Sequence, residues 1–302
     1  MIREGYLSDR QAIYDLHSSH VNLGEYDRME IYFARYFNAE NIVVNEVNGH
    51  VVASSQINYH TLIFNGYRIA AGVITATICD RNNRSYLDAL LKDIDDELEH
   101  KMLISLAITE KPDDFVSLGF EPVYKRRRYE ISRNDMVNRS SDGVDTSFTA
   151  GEIAGTYKKF MGSFNGYYER DMIYWTNRFE TFKYLKYSMV VYRNREKAVE
   201  GYMVFGINNN DIYIDEIVYL SGTALIRMLC YAFKFKDKIT VMVSEHEDLN
   251  RIIPKAQYKL ETVAIAKVNN LTLFNNLFSA NAGNTREALS FWGKPLYLNE
   301  DS

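Results

Sequence analysis

Two Asn-Gly pairs, Asn48-Gly49 and Asn65-Gly66, punctuate a long stretch of alternating apolar and polar residues between Ile42 and Ile78. Both central positions of a type I′ turn take positive φ, which Asn and Gly tolerate best. The pattern therefore predicts a meander of three strands over 42–47, 51–64 and 67–78. Ahead of it, Ile13, Leu16 and His17 follow a Ser8-Asp9 cap and predict one helix; residues 28–37 predict a second. Behind the meander the hydrophobic period lengthens from two to about 3.6. Leu87, Leu90, Leu91, Ile94 and Leu98 share one helical face, with Asp88, Lys92, Asp95 and Asp96 on the other. Residues 102–108 predict a buried strand. Pro112-Asp113-Asp114 opens a short helix that Gly119 stops, and 120–131 predicts the strand that closes the first half.

The first part thus reads ααβββαβαβ. Residues 134–146 are polar and turn-rich, the best linker in the chain. The remainder predicts the same order again: helices at 150–161 and 172–182, strands at 189–192, 199–205 and 211–220, a helix at 223–235, and closing strands at 239–244 and 262–268. Only the order of elements repeats, not the sequence. The expected organisation is a first domain over 1–133, a linker over 134–146, a second domain over 147–278 and a tail over 279–302. The fold class is α/β (α+β), each domain a mixed, mostly antiparallel sheet flanked by helices. The length of 302 residues agrees, at about 150 residues per domain.

Composition narrows the function classes. With 46% hydrophobic and 25% charged residues the chain has an ordinary globular balance and is not a disordered one. A net charge of −5 argues against a dedicated nucleic-acid binder and is compatible with a cationic substrate. The N-terminus shows no signal-like apolar region, and no run of about 18 apolar residues predicts a membrane span. Cys79 and Cys230 are too few for a disulfide framework and fit a reducing, cytoplasmic setting. His17 and His20 share a helix face but lack a third ligand, so they read as a polar surface pair and no metal is expected. Cys79 reads as a small packing residue, and Lys125-Arg126-Arg127-Arg128 as a strand edge whose charges alternate between faces.

The most informative junction is Cys79-Asp80-Arg81-Asn82-Asn83-Arg84-Ser85-Tyr86, where the meander hands over to the leucine-striped helix. A helix N-terminus presents unpaired N–H groups and a positive dipole end, which suit a pyrophosphate. Arg81 and Arg84 add charge, or are solvated turn residues. No glycine is present in the turn. In the second half, Ser221-Gly222-Thr223 is a plain N-cap, so that domain reads as structural support.

Residues 72–91 resemble the acetyl-CoA-binding motif of GNAT acetyltransferases, and Phe115-Val116-Ser117-Leu118-Gly119-Phe120 resembles the Phe-Tyr-x-x-x-Gly-Phe segment of that family. With Tyr168-Glu169-Arg170, Trp175, Gly201-Tyr202 and Ile214-Asp215-Glu216-Ile217, residues 1–278 look like the tandem-GNAT enhanced intracellular survival (Eis) branch. The resemblance implies two GNAT-like domains, the first binding acetyl-CoA as co-substrate for transfer to a primary amine of a small molecule or lysine. It implies pantetheine along Thr75, Ala76 and Thr77, and the pyrophosphate at Arg81, Asn83, Arg84, Ser85 and Tyr86. Glu110 and Lys111 match the segment that passes the cofactor, while Glu25 and Asp27 lie where the acceptor is gated. The sequence departs from the family at three points. Phe115 stands at the general-acid tyrosine, both turn glycines are missing, and the chain ends about where the branch's sterol-carrier-like domain begins, so Ser302 is not expected to serve as the terminal-carboxylate base. The rival reading is a non-catalytic module binding an acyl-CoA, another ligand or a protein partner. A homo-oligomer is compatible with either.

Overall fold

The Asn-Gly pairs make the two turns that the pattern requires. Asn48 and Asn65 sit at φ 51° and 48°, Gly49 and Gly66 at φ 80° and 82°. The structure, a computed structural model, describes the chain except residues 21–25, 82–83, 138–139, 208–210 and 300–302, with 26–28 described by backbone alone. Its contacts divide the chain into two units: Met1–Val123 with Thr262–Gly293, and Tyr124–Glu261 with Lys294–Asn299.

The first unit opens on β1 (Ile2–Glu4), too short for periodicity to reveal, followed by α1 (Arg10–Ser18) and α2 (Tyr26–Ile31). Asp9 does not cap α1 with its side chain; it accepts two hydrogen bonds from Arg3, at 2.8 and 3.0 Å, and the guanidinium holds its carboxyl below the usual range. The meander is β2 (Ile42–Val47), β3 (His50–Phe64) and β4 (Tyr67–Cys79); then come α3 (Arg84–Lys101) and β5 (Ile104–Ile108). The leucine face of α3 is buried as its period predicts. The helix crosses β4 at Gly72, where a Cβ would stand 2.5 Å from the Leu98 side-chain tip, so a larger residue there would force Leu98 to shift.

The second unit repeats this order. The chain enters it along β6 (Glu121–Ser132) and passes β7 (Val144–Asp145), α4 (Ala150–Met161), β8 (Tyr167–Tyr168) and α5 (Met172–Tyr184). Then follow β9 (Ser188–Arg193), β10 (Val199–Ile207), β11 (Ile212–Tyr219), α6 (Gly222–Ala232) and β12 (Lys238–Ser244). Thr149 and Glu152 form a reciprocal capping box on α4, and Ser221 caps α6 with its hydroxyl. The sequence places residues 134–146 as a linker. They instead fall inside this unit: Ser132 caps a helical turn at Arg133–Asp135, and Val144–Asp145 pairs with β9.

The two closing strands are exchanged between the halves. The sequence predicts that 120–131 closes the first half and 262–268 the second. In the structure, residues 126–132 of β6 pair antiparallel with β12. Strand β13 (Gln257–Val268) pairs with β5 through residues 264–268. Unit boundaries consequently fall inside these strands, not at 133 and 147. Side chains fix the exchange. Asp95, placed by periodicity on the solvent face of α3, is 5% exposed and binds Lys267 of β13 at 2.8 Å. Asn269 then donates to the Leu98 and Met102 carbonyls and to Ser105 Oγ, at 3.2, 2.9 and 2.9 Å, closing the end of α3. The predicted tail contains two helices, α7 (Leu271–Phe278) and α8 (Thr285–Ser290), with Phe64, Phe274, Phe278 and Trp292 in edge-to-face contact.

A buried charge left without its partner is costly, whereas an exposed ion pair adds little. Lys267→Ala should therefore destabilise the protein by about 3 kcal/mol in urea unfolding, whereas Lys92→Ala, which breaks the exposed pair with Asp96, should leave the unfolding midpoint nearly unchanged. Equal effects would contradict the assignment of β13 to the first unit.

Candidate functional site

Strand β4 has a different neighbour on each side, and they let go of it at different points. On one side it stays antiparallel to β3 as far as the pair Ala53–Cys79. On the other, its parallel pairing with β5 runs only from Ala71 to Ile74. Two residues beyond that stop, Ala76 sits at φ 49°, and the β3–β4 register shifts by one residue opposite Ser55. This is a bulge: an extra residue on one strand that bends it and re-aims its backbone. From Ala76 to Cys79 the strand is half-buried where the preceding residues are buried, and β5 ends at Ile108 beside it. The edge of β4 facing β5 is thus a candidate notch, and the 18-residue helix α3 starts five residues past the end of β4.

Polar side chains line the β3 side of this bend. Ser55 Oγ lies 2.8 Å from Thr77 Oγ1 and donates to the Thr75 carbonyl at 3.3 Å. Asn58 Nδ2 donates to Thr75 Oγ1 at 3.2 Å. Gln56 Nε2 donates to the Tyr36 carbonyl and to Asn58 Oδ1, while its Oε1 accepts from Tyr32 Oη at 2.9 Å. Ser54, Ser55, Gln56 and Thr75 are at most 2% exposed. So many buried polar groups in mid-strand go against simple alternation; the run Ser54-Ser55-Gln56 signals it in the sequence. Across from them stands His17 of α1, whose Nε2 is buried without a hydrogen-bond partner. Burial above all, with a smaller contribution from His20, lowers its pKa to about 4, although the nearby Ala76 carbonyl favours the protonated ring. The surface-pair reading of His17 and His20 is corrected here. His17 packs edge-on to Phe33 and tilted against Tyr32, while His20 Nδ1 meets Ser19 Oγ and the Leu16 carbonyl.

The other sequence-derived candidates gather around the mouth. Arg81 donates to the Ser19 carbonyl at 2.6 Å, tying the turn to the end of α1. Arg84 bonds Asp114 at 2.5 Å and Asp88 at 3.4 Å. Ser85 is exposed, and the Tyr86 carbonyl accepts from Asn45 Nδ2. Glu110 and Lys111 are exposed just past the end of β5. Cys79, a free thiol, is pushed up in pKa by burial, and the charges acting on it are those of Lys111, Arg84, Asp114 and Asp80. Asn83 and Glu25 lie outside the described residues; Asp27 belongs to α2. Phe115 is 1% exposed and packs edge-on against Phe120, with Leu87 and Leu91 in the same core. The arginines of the basic run 125–128 are paired: Arg126 and Arg128 face Glu261, and Arg127 faces Asp248.

The second unit has a register shift at the corresponding place, without a left-handed residue, and fills it with charge. The parallel pairing of β11 with β12 stops at Ile214, and the β10–β11 register shifts at the next residue. There Asp215 bonds Arg178 at 2.7 Å and Glu216 bonds Arg170 at 2.6 Å, both pairs nearly or fully buried. Where β11 and β12 end, the buried Glu247 carboxylate accepts the Ser244 N–H at 2.9 Å. Burial raises the Glu247 pKa to about 7, against the pull of Ser244 and Tyr219.

Against known proteins, no family model matches the sequence and no curated protein does. Solved structures resemble it. A GCN5-related N-acetyltransferase from Anabaena variabilis aligns at TM-score 0.74 and 17% identity, over 91% of this chain and 74% of that one. A conserved protein of unknown function from Enterococcus faecalis, described as a probable N-acyltransferase, aligns at TM-score 0.71 and 17% identity with the same coverage. Eis1 from Mycobacterium abscessus aligns at 0.66 and 12% identity, over 91% and 75%. At these identities the likeness establishes the fold: a mixed, largely antiparallel sheet flanked by helices, of the GNAT type.

The raised pKa of Glu247 has a stability consequence. In the unfolded chain this group loses its proton near its ordinary 4.5, while the folded protein holds it to about 7. The contribution is full below pH 4.5 and is lost as pH rises through 7. Urea midpoints measured from pH 5 to 8 should therefore fall with rising pH, and Glu247→Gln should flatten that fall. An unchanged slope in the variant would contradict a protonated Glu247.

Proposed function

We propose that the first unit binds an acyl-CoA, acetyl-CoA foremost, in the notch between β4 and β5 and transfers its acetyl group to a primary amine by direct attack. One observation carries the reading: the bulge at Ala76 lies two residues past the end of the β4–β5 pairing, and β4 then ends at Cys79, five residues before the start of α3. An extended pantetheine arm needs a strand edge to run along, and a pyrophosphate needs a helix N-terminus; the two stand here in the right order. Thr75, Ala76 and Thr77 would hold the arm. The first turn of α3, with Arg81, Asn83, Arg84, Ser85 and Tyr86, would hold the phosphates, with Glu110 and Lys111 on the facing wall and Glu25 and Asp27 toward the acceptor. Lys111 and Arg84 act on the thiol of Cys79 at the strand end, opposed there by Asp114 and Asp80, so two cations stand where the phosphates would lie.

The geometry suits direct attack better than an acyl-enzyme. Among the described residues, Ser55, Thr75 and Thr77 hydrogen-bond to one another and to Asn58, with no histidine or carboxylate bonded to them, and Cys79 has its thiol form favoured by burial. The described chain has no helix long and apolar enough to cross a membrane, and its cysteines are free, so an acetyl-CoA pool in a reducing cytoplasm fits the reading. The small-amine acceptor, the Eis-like kinship and any homo-oligomer belong to the same proposal. A second reading, an acyl-CoA-binding module without turnover, is favoured by Phe115, which is buried and carries no hydroxyl for the departing thiolate.

Arg84 must leave Asp114 to meet a phosphate, and that exchange is open to test. A ligand at one hundred times its Kd stabilises a protein by about 2.7 kcal/mol, so acetyl-CoA should raise the melting temperature by several degrees. Asp114→Asn, which frees Arg84, should tighten acetyl-CoA binding several-fold, and Arg84→Ala should weaken it by a similar factor. Thiol release with added polyamines separates the enzyme from the module. No thermal shift at saturating acetyl-CoA would sink both readings.

A further inference from the structure

An amine attacking a thioester needs its proton removed, and the leaving thiolate needs one supplied. The residue at the usual acid position, Phe115, can do neither. Among the described residues, His17 is the imidazole at the bulge. The Ala76 backbone hydrogen-bonds the ring and favours its protonated form, Nε2 is buried with no side-chain partner, and Tyr32 and Phe33 hold the ring from the side at 5.7 and 5.6 Å between centroids. A buried ring nitrogen without a hydrogen bond is an unusual cost for a folded protein to carry. Most nearby hydroxyls and amides are committed elsewhere, Tyr32 to Gln56, Gln56 to Tyr36 and Asn58, Asn58 to Thr75, and Ser55 to Thr77, while Ser54 Oγ, like His17 Nε2, is buried without a partner.

We infer that His17 is the single proton shuttle of the transfer, taking the proton from the attacking amine and returning it to the departing sulfur. This rests on the acetyl-transfer reading above. The amine nitrogen forms its bond to the thioester carbon as the carbonyl pair moves onto oxygen. His17 Nε2 takes the N–H proton. The oxygen pair then reforms the carbonyl, the carbon–sulfur bond breaks with its electrons on sulfur, and the His17 imidazolium gives the same proton to the thiolate. Amide and free thiol result, and the ring is neutral again. Nitrogen and sulfur sit on one carbon in the adduct, so one imidazole can serve both, as a histidine serves nucleophile and leaving group in other acyl transfers. A burial-lowered pKa suits the second half of the cycle: the ring is neutral when the amine arrives, and its conjugate acid readily gives up its proton.

The test uses the full chain carrying ¹⁵N-labelled histidine, with the His17 signals assigned by their loss in His17→Gln. Nε2 should show the shift of an unprotonated, unbonded ring nitrogen, and that shift should move when acetyl-CoA is added. With acetyl-CoA and spermidine, His17→Gln and His17→Asn should each release thiol at least a hundredfold more slowly than wild type, yet show the wild-type thermal shift with acetyl-CoA. If wild type binds acetyl-CoA while the His17 signals stay fixed, or either variant turns over normally, the shuttle is overturned and the binding reading stands. If wild type fails to bind acetyl-CoA, the reading beneath falls first and the shuttle with it. If spermidine is not acetylated by wild type, movement of the His17 signals supports the shuttle and their constancy overturns it.

Discussion

A single residue of left-handed backbone in β4 governs the first unit. Ala76 adopts φ 49° without the freedom of a glycine, a conformation that costs an L-residue roughly 1–2 kcal/mol. The strands on either side over-determine it. Antiparallel pairing to β3 resumes beyond the bulge and holds to Cys79, while pairing to β5 has ended at Ile74. Beyond Ile74 β4 keeps its β3 partner, β5 ends at Ile108, and α3 begins at Arg84. The Gly72–Leu98 approach and the Asn269 contacts at the other end fix the helix in place. Strain of this kind persists where surrounding structure enforces it, and such positions cluster at ligand clamps and active sites.

The second unit shows what the corresponding register shift does when it is used for stability. There the bulge residues Asp215 and Glu216 carry charge, and Arg178 and Arg170 neutralise them inside the protein. Arg170 also lies over the rings of Tyr157, Tyr174 and Trp175. Removing one partner from such a pair leaves an uncompensated buried charge, so the arrangement is locked. In the first unit the bulge residues are Ala76 and Thr77, and the neighbouring side chains are neutral hydroxyls and amides. A neutral polar wall with one unpartnered imidazole is suited to receive a ligand; a wall of interlocked ion pairs is not.

Much of this architecture was legible because it is set by local rules. The Asn-Gly turns, the leucine face of α3 and the whole of α4 follow from turn chemistry, periodicity and capping, and they agree with the structure at the level of residues. What was not legible depends on partners distant in sequence. Periodicity gives Asp95 to solvent, since nothing local announces Lys267 some 170 positions away. The same blindness assigns β6 and β13 to the wrong halves: a buried strand reads identically whichever sheet receives it. A histidine pair at i, i+3 reads as polar, and only Tyr32, Phe33 and the Ala76 bend together enclose one of the two. The polar run Ser54-Ser55-Gln56 did carry a signal. Three consecutive buried polar residues in a strand break the alternation, and they mark the wall of the notch.

The central claim is that the bend at Ala76 receives the ligand and the bend at Asp215 does not. Amide hydrogen exchange, measured with and without saturating acetyl-CoA, addresses both bends in one experiment. Slowed exchange confined to residues 75–79 and the first turn of α3, with 215–219 unchanged, is the predicted result. Protection at 215–219, or none at 75–79 under conditions where acetyl-CoA is bound, would contradict the account.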